Sequence, residues 1–295
     1  VTSVQAGTDR HGQSQLLPVL MVLGSCASVQ VGAAFAAQLF PAVGPAGATT
    51  LRLTTAAVLL MVWVRPRVRH WTRRQWGPVL AFGGALAGMN SAFYAGLERL
   101  PLGPAVTIEF LGPLTLAAVL TRRRRDLLWV VLALAGVVLL GFGGGEGATA
   151  LDPVGVVLVL VAGTLWAAYV LLSARVGAAV PGQSGLAVAS VVAAVLVLPA
   201  GVATAGTALL EPWLLLAGAA VGVLSSVVPY SLELAALRRL PARTFGILLS
   251  LEPAVAALAG LAVLGQALGL HAVLAIALVV VASAGAMGAS RRPQA

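Results

Sequence analysis

The chain has 295 residues, 60% of them hydrophobic and 9% charged, with a mean hydropathy of +1.00 and a net charge of +9. Roughly a quarter of residues are charged in soluble domains, so this balance excludes an ordinary water-soluble globule and points to a chain embedded in lipid. The positive charge would suggest nucleic acid in a soluble protein, but here it falls between apolar runs, where it sets membrane orientation; no nucleic-acid partner is expected.

A hydrocarbon core about 30 Å thick takes about 20 helical residues to cross. Residues 1–15 are polar and read as a cytoplasmic tail. Ten apolar stretches follow, over 16–37, 45–64, 77–97, 102–120, 127–143, 154–173, 185–204, 213–235, 242–263 and 269–289, and residues 290–295 form a second polar tail. These runs are continuous and rich in Leu, Ala and Val, which excludes the short alternating segments of a membrane β-barrel. The first is longer than the 7–15 apolar residues of a signal-peptide core and reads as an uncleaved span. Cys26, the single cysteine, reads as a small packing residue and cannot form an intrachain disulfide.

There is no Lys, so Arg carries the orientation signal. With the N-terminus inside, sixteen of the eighteen Arg fall in cytoplasmic segments, among them Arg65, Arg67, Arg69 and the run "RRRRD" at 122–126; Arg99 lies outside and Arg52 within a span. Both termini are therefore expected in the cytoplasm. The "RRRRD" loop reads as a solvated segment near anionic headgroups.

"LERLPLGPAVTIEFLGPL" at 97–114 aligns without gaps on "LRRLPARTFGILLSLEPA" at 237–254, with six of eighteen positions identical, Pro101/Pro241 and Pro113/Pro253 included. Five spans separate the copies. Five is odd, so the second copy enters the membrane from the opposite side, and the halves are related by inversion. Loop charge agrees: the Arg-rich segment 65–76 corresponds to the Arg-free 205–212, and "TRRRRD" to "GQALGLH" at 265–271. The predicted fold class is all-α integral membrane, ten transmembrane helices as two inverted five-helix repeats. The repeats run over 16–143 and 154–289, joined by an external Gly-rich linker at 144–153.

Inverted halves with interrupted helices suit a transporter whose cargo sits near the midplane. Pro113 cannot bond the carbonyl of Glu109, nor Pro253 that of Leu249, so both helices are expected to break there. Three carboxylates fall within spans. Glu252 is near mid-depth and reads as functional; Glu233, a turn from the cytoplasmic end near Arg238 and Arg239, reads as a structural pair. Glu109 and Arg52 match in depth. They either pair across helices or receive a zwitterion, Arg52 meeting a carboxylate and a Glu an ammonium. Asn90 and Tyr94 share one helix face, and Ser226 and Tyr230 repeat that spacing in the eighth span, so together they make a candidate cavity lining. Gln30, Trp166, Tyr169, Ser225 and Ser250 are further polar or aromatic residues within spans.

Enzyme chemistry fits poorly. Asp9, Asp126 and Asp152 all lie outside the spans, and His11, His70 and His271 lie at ends or loops with no HExxH or Ser-His arrangement. Neither a metal nor a cofactor is expected.

The segments "SVQVGAAFAAQLFPAVGPAGATTLRL" at 28–53, "MNSAFYAGLERLPLGPAVTIEFLGPL" at 89–114 and "VPYSLELAALRRLPARTFGILLSLEPAVAALAG" at 228–260 resemble the drug/metabolite transporter superfamily with two EamA-type repeats, and more closely its threonine and homoserine exporter branch. The resemblance covers nearly the whole chain. It implies a bacterial inner-membrane exporter with a central cavity and small amino acids as cargo, driven by proton entry. Such repeats often carry Gly-Glu after the ninth span, where this chain has Gly265-Gln266. The competing readings are efflux of hydrophobic or cationic drugs, against which 5% aromatic content argues mildly, and a membrane sensor that binds without transport.

Overall fold

The computed structural model describes residues 6–121, 127–142, 151–180, 182–237, 239–240 and 242–289. The "RRRRD" run and residues 144–150 of the Gly-rich linker lie outside the described residues, as do the two chain ends. The described chain is helical: α1 (Ala6–Gln38), α2 (Phe40–Val64), α3 (Arg73–Leu97), α4 (Leu102–Glu109), α5 (Leu111–Thr121), α6 (Leu127–Phe142), α7 (Pro153–Ala179), α8 (Ser184–Ala205), α9 (Pro212–Gly222), α10 (Val228–Leu237), α11 (Ala242–Leu249), α12 (Glu252–Leu264) and α13 (Leu270–Ala289). A π-helical turn, Val223–Val227, joins α9 to α10.

Three helices start four or more residues ahead of their expected spans, α1 at Ala6, α2 at Phe40 and α3 at Arg73. Helix α1 begins ten residues before its apolar span, at Ala6, because a formed helix propagates into adjoining polar residues at little cost. In α2 a non-helical Gly44, at φ 66°, precedes Pro45, so the regular helix starts where the sequence placed it.

Among the described residues, seven helical segments are long and apolar enough to cross a membrane. The three other expected spans fall short for different reasons. Helix α3 has the length, at 25 residues, but carries five Gly as well as Gln75 and Asn90. Helix α6 has only 16 residues, about 24 Å, and the apolar stretch of α13 is also short. The helices turn large side chains such as Val58, Val131, Leu216, Leu258 and Val281 outward, as lipid-facing surfaces do.

Joining α4 with α5, α9 with α10 and α11 with α12 gives ten rods, and their packing has a simple rule. Rod two lies on rod seven, four on nine and five on ten. Rod three lies on six as one does on eight, three on seven as two does on eight, and four on six as one does on nine. Exchanging each rod with the one five places along leaves this pattern unchanged.

The two ends of the bundle differ. At the end where α4 begins and α12 finishes, one continuous apolar cluster joins Ala36, Val43, Leu97, Leu102, Val159 and Ala259. Gln266 reaches across this end and accepts a hydrogen bond from Leu102 N–H at 3.0 Å, capping the start of α4, while Gln38 donates to the Val263 carbonyl at 3.1 Å. Asp152, beside Arg99 at 2.9 Å, caps α7 by accepting from Val154 N–H; the guanidinium holds its carboxyl below the usual carboxylate range. At the opposite end the apolar contacts separate into three clusters, around Val176 and Phe82, around Val22 and Phe245, and around Leu114 and Val279.

Both expected breaks lie just before their prolines: α4 gives way to α5 at Phe110, and α11 to α12 at Ser250-Leu251. The backbone freed at the first break is met by another backbone. A Cβ on Gly163 of α7 would come within 2.5 Å of the Glu109 carbonyl oxygen, and one on Gly112 would strike the Gly163 carbonyl. Gly163→Ala is therefore expected to push α7 from the break and cost about 1–3 kcal/mol, seen as a lower melting temperature in detergent. An unchanged melting temperature would show that this approach is loose.

Candidate functional site

A cavity of about 220 Å3 opens at the level of the two breaks. Residues from α1, α2, α3, α7, α8, both interrupted rods and the π-turn line it. It reaches Leu60 near the end of α2 and Leu186 near the start of α8, toward the end where the apolar contacts divide into three clusters.

The breaks deliver the acids. Glu109 is the last residue of α4 and Glu252 the first of α12, so each projects from a helix terminus into the cavity. Their settings are opposite, since Glu252 meets the positive end of its helix and Glu109 the negative end of its own. Glu109 is close enough to interact electrostatically with both Glu252 and Arg52. Gln30 of α1 lies close enough to interact with the Glu252 side chain, and its Oε1 is buried and unpartnered.

Arg52 projects from α2. Its Nη1 donates to the Tyr94 hydroxyl at 3.1 Å and its guanidinium carbon lies 5.5 Å from the Tyr94 ring centroid, while its Nε is buried without a partner. Arg52 and Glu109 share the cavity but make no ion pair; among the described residues the ion pair is Arg99–Asp152. Depth matching could bring the two to one level but could not reveal that a tyrosine competes for the guanidinium.

The sequence-predicted lining residues separate into groups. Asn90 lines the cavity and donates Nδ2 to the Leu86 carbonyl at 2.8 Å. Tyr94, one turn on, is fully buried behind the wall against Phe40 and Phe93 and accepts from Arg52. Ser226 lines the cavity, whereas the Tyr230 side chain lies outside the described residues. Pro113 and Pro253 shape the breaks rather than the wall. Glu233 stays out of the cavity and accepts from Ser25 Oγ at 2.7 Å.

Sequence reasoning missed the π-turn. It places Ser225 and Ser226 side by side on the wall and binds Val228 N–H to the Val223 carbonyl, five residues back. Ser28 of α1 donates to the Leu224 carbonyl within it at 2.6 Å. Pro229 was the available signal: it leaves the Ser225 carbonyl without its usual donor, as Pro113 does for Glu109. Trp166, Tyr169 and Ser190 complete the wall with Gln30 and Ser225.

Three of the four buried side-chain atoms without a partner among the described residues, Gln30 Oε1, Arg52 Nε and Ser225 Oγ, belong to residues of this wall. An acceptor, a cationic donor and a hydroxyl left unpaired beside two carboxylates suit a small, polar, charged solute.

Residues 153–288 match the EamA-like transporter family. The chain is 42% identical over 276 residues to the threonine/homoserine exporter RhtA of Salmonella typhimurium strain LT2, covering 94% of this chain and 93% of the relative. It is 42% identical over 269 residues to that of Escherichia coli K12, covering 91% and 90%. The uncharacterized transporter YwfM of Bacillus subtilis is 28% identical over 241 residues, covering 79% of this chain and 80% of the relative. A solved crystal structure shares the fold with a TM-score of 0.60 and 18% identity, covering 92% of this chain and 96% of that one. With helices built for lipid around a polar cavity, and relatives of that identity spanning nearly its whole length, the chain is a multi-pass membrane transporter, not an enzyme, and belongs to the EamA-like transporter family.

Proposed function

We propose that the chain exports small amino acids of the threonine and homoserine kind across the bacterial inner membrane by alternating access, coupled to protons. The observation that carries this reading is the set of unpartnered polar atoms, Gln30 Oε1, Arg52 Nε and Ser225 Oγ, around one cavity that also holds Glu109 and Glu252. Arg52 receives the cargo carboxylate and an acid its ammonium. The acids also exchange the coupling protons. Ten spans, arranged as two inverted five-helix units over 16–143 and 154–289 with both termini in the cytoplasm, perform the movement by rocking about the breaks. The packing rule that survives a five-rod exchange supports the duplication, and the loop Arg distribution supports the inversion. In this orientation the cavity reaches the cytoplasmic side.

Drug efflux is less well supported. Pockets for drug-sized ligands run to about 300–1,000 Å3, and this cavity, at about 220 Å3, is smaller and carries charges of both signs. The test is counterflow in proteoliposomes. Labelled threonine is expected to accumulate against internal unlabelled threonine, and a screen of about twenty amino acids with and without a pH gradient assigns cargo and coupling. Saturable binding without flux would make the protein a sensor instead.

A further inference from the structure

We infer that Ser225 and Gln30 form a hydroxyl-reading subsite, by which the cavity separates an amino acid bearing a side-chain hydroxyl from the same molecule without it. The inference rests on the exporter reading above and adds to it a basis for choosing among cargoes.

Many hydroxyls in the regular helices of this protein satisfy themselves on their own backbone, while Ser25, Ser28 and Thr50 bond to other helices and Ser283 of α13 is left without a partner among the described residues. Thr49, Thr107, Thr164, Ser190 and Ser231 each donate to the carbonyl four residues back. Ser225 does not. It lies in the π-turn, where the backbone pattern shifts to five residues, and its Oγ is left without a partner although the residue is only 8% exposed. A bare glycine faces it: a Cβ on Gly32 of α1 would strike Ser225 Oγ, so α1 bonds the turn through Ser28 at the Leu224 carbonyl but supplies no partner to Ser225 Oγ. Gln30, on the same helix and 4% exposed, lies beside Glu252 and has its Oε1 left as an unpartnered acceptor. Both side chains line the cavity on the wall that α1 makes with the π-turn.

Donor and acceptor bookkeeping identifies the solute group. Arg52 and the two acids account for a carboxylate and an ammonium. What remains is an acceptor, Gln30 Oε1, and a group that both donates and accepts, Ser225 Oγ. A hydroxyl satisfies both at once by donating to Gln30 and accepting from Ser225. Threonine and homoserine, the solutes in the relatives' names, carry a hydroxyl on adjacent carbons of the same four-carbon amino acid. Removing it from either gives 2-aminobutyrate. That molecule would leave two buried polar atoms unpaired, which sites built to bond a hydroxyl reject strongly.

The test is inhibition of labelled-threonine counterflow by threonine, homoserine and 2-aminobutyrate in proteoliposomes. In the unaltered protein 2-aminobutyrate is expected to be weaker than either hydroxy acid by about thirtyfold. Ser225→Ala should weaken threonine and homoserine about tenfold and leave 2-aminobutyrate within about twofold. Ser225→Cys, similar in volume with a weaker donor, should fall between, and it supplies the reading if the alanine variant does not fold. Equal weakening of all three solutes, the result if Gln30 and Ser225 served the ammonium, overturns the subsite and leaves the exporter reading intact. So does an unaltered protein that fails to discriminate. Absence of amino-acid counterflow in the unaltered protein overturns the exporter reading, and the subsite with it.

Discussion

Glu252→Gln is expected to abolish flux driven by a pH gradient while the protein folds as before. The amide matches the carboxyl in shape, so packing around the start of α12 has no reason to change. Only the capacity to bind and release a proton is lost. Uptake of threonine into acid-loaded or alkaline-loaded vesicles should drop by about a hundredfold or more, about 2.7 kcal/mol of coupling. Threonine counterflow, which needs no proton movement, should fall much less. Retained gradient-driven uptake would remove Glu252 from coupling. The same pair of assays on Glu109→Gln then shows whether the acid at the opposite kind of helix end shares the task.

Arg52→Ala is the second large effect. Arg52 lines the cavity and is held by two features of one residue, the Tyr94 hydroxyl at 3.1 Å and the Tyr94 ring at 5.5 Å, with its Nε left unpartnered. If the guanidinium takes a carboxylate, the half-saturating concentration for threonine should rise by at least about tenfold, as losing a charge-assisted bond requires. An amine analogue that lacks the carboxylate should be unaffected, and lysine at 52 should rescue little because it has no planar fork. Tyr94→Phe keeps the ring and loses only the hydroxyl bond, so a rise of about two- to fivefold is expected. A variant that loses the amine analogue as much as threonine would mark Arg52 as part of the scaffold.

Much of the site was legible because polar residues stand out in an apolar chain. Glu109, Glu252, Arg52, Asn90 and Ser226 were all conspicuous in the sequence, and the structure brings them around one cavity. The breaks before Pro113 and Pro253 follow from a missing N–H, a purely local cause. What stayed hidden depends on tertiary position. Tyr94 shares a helix face with Asn90, but sharing a face says nothing of depth, and one turn further along α3 the cavity has already given way to the apolar cluster that includes Tyr94. The turn around Ser225 was locally encoded by Pro229 yet masked by an unbroken apolar run. Which partner Arg52 takes depends on competition between Tyr94 and Glu109, and spacing along the chain carries no information about that.

The side chain that caps α4 comes from 164 residues away, and it is a neutral amide. Any movement that parts α12 from α4 hands the Leu102 amide over to water, an exchange worth about 1 kcal/mol, comparable to thermal agitation. A carboxylate at position 266 would grip that amide about twice as hard and make the parted arrangement rarer. Glutamine at this latch is therefore a weak tie, and the grip of α12 on α4 comes mainly from the apolar side chains around it.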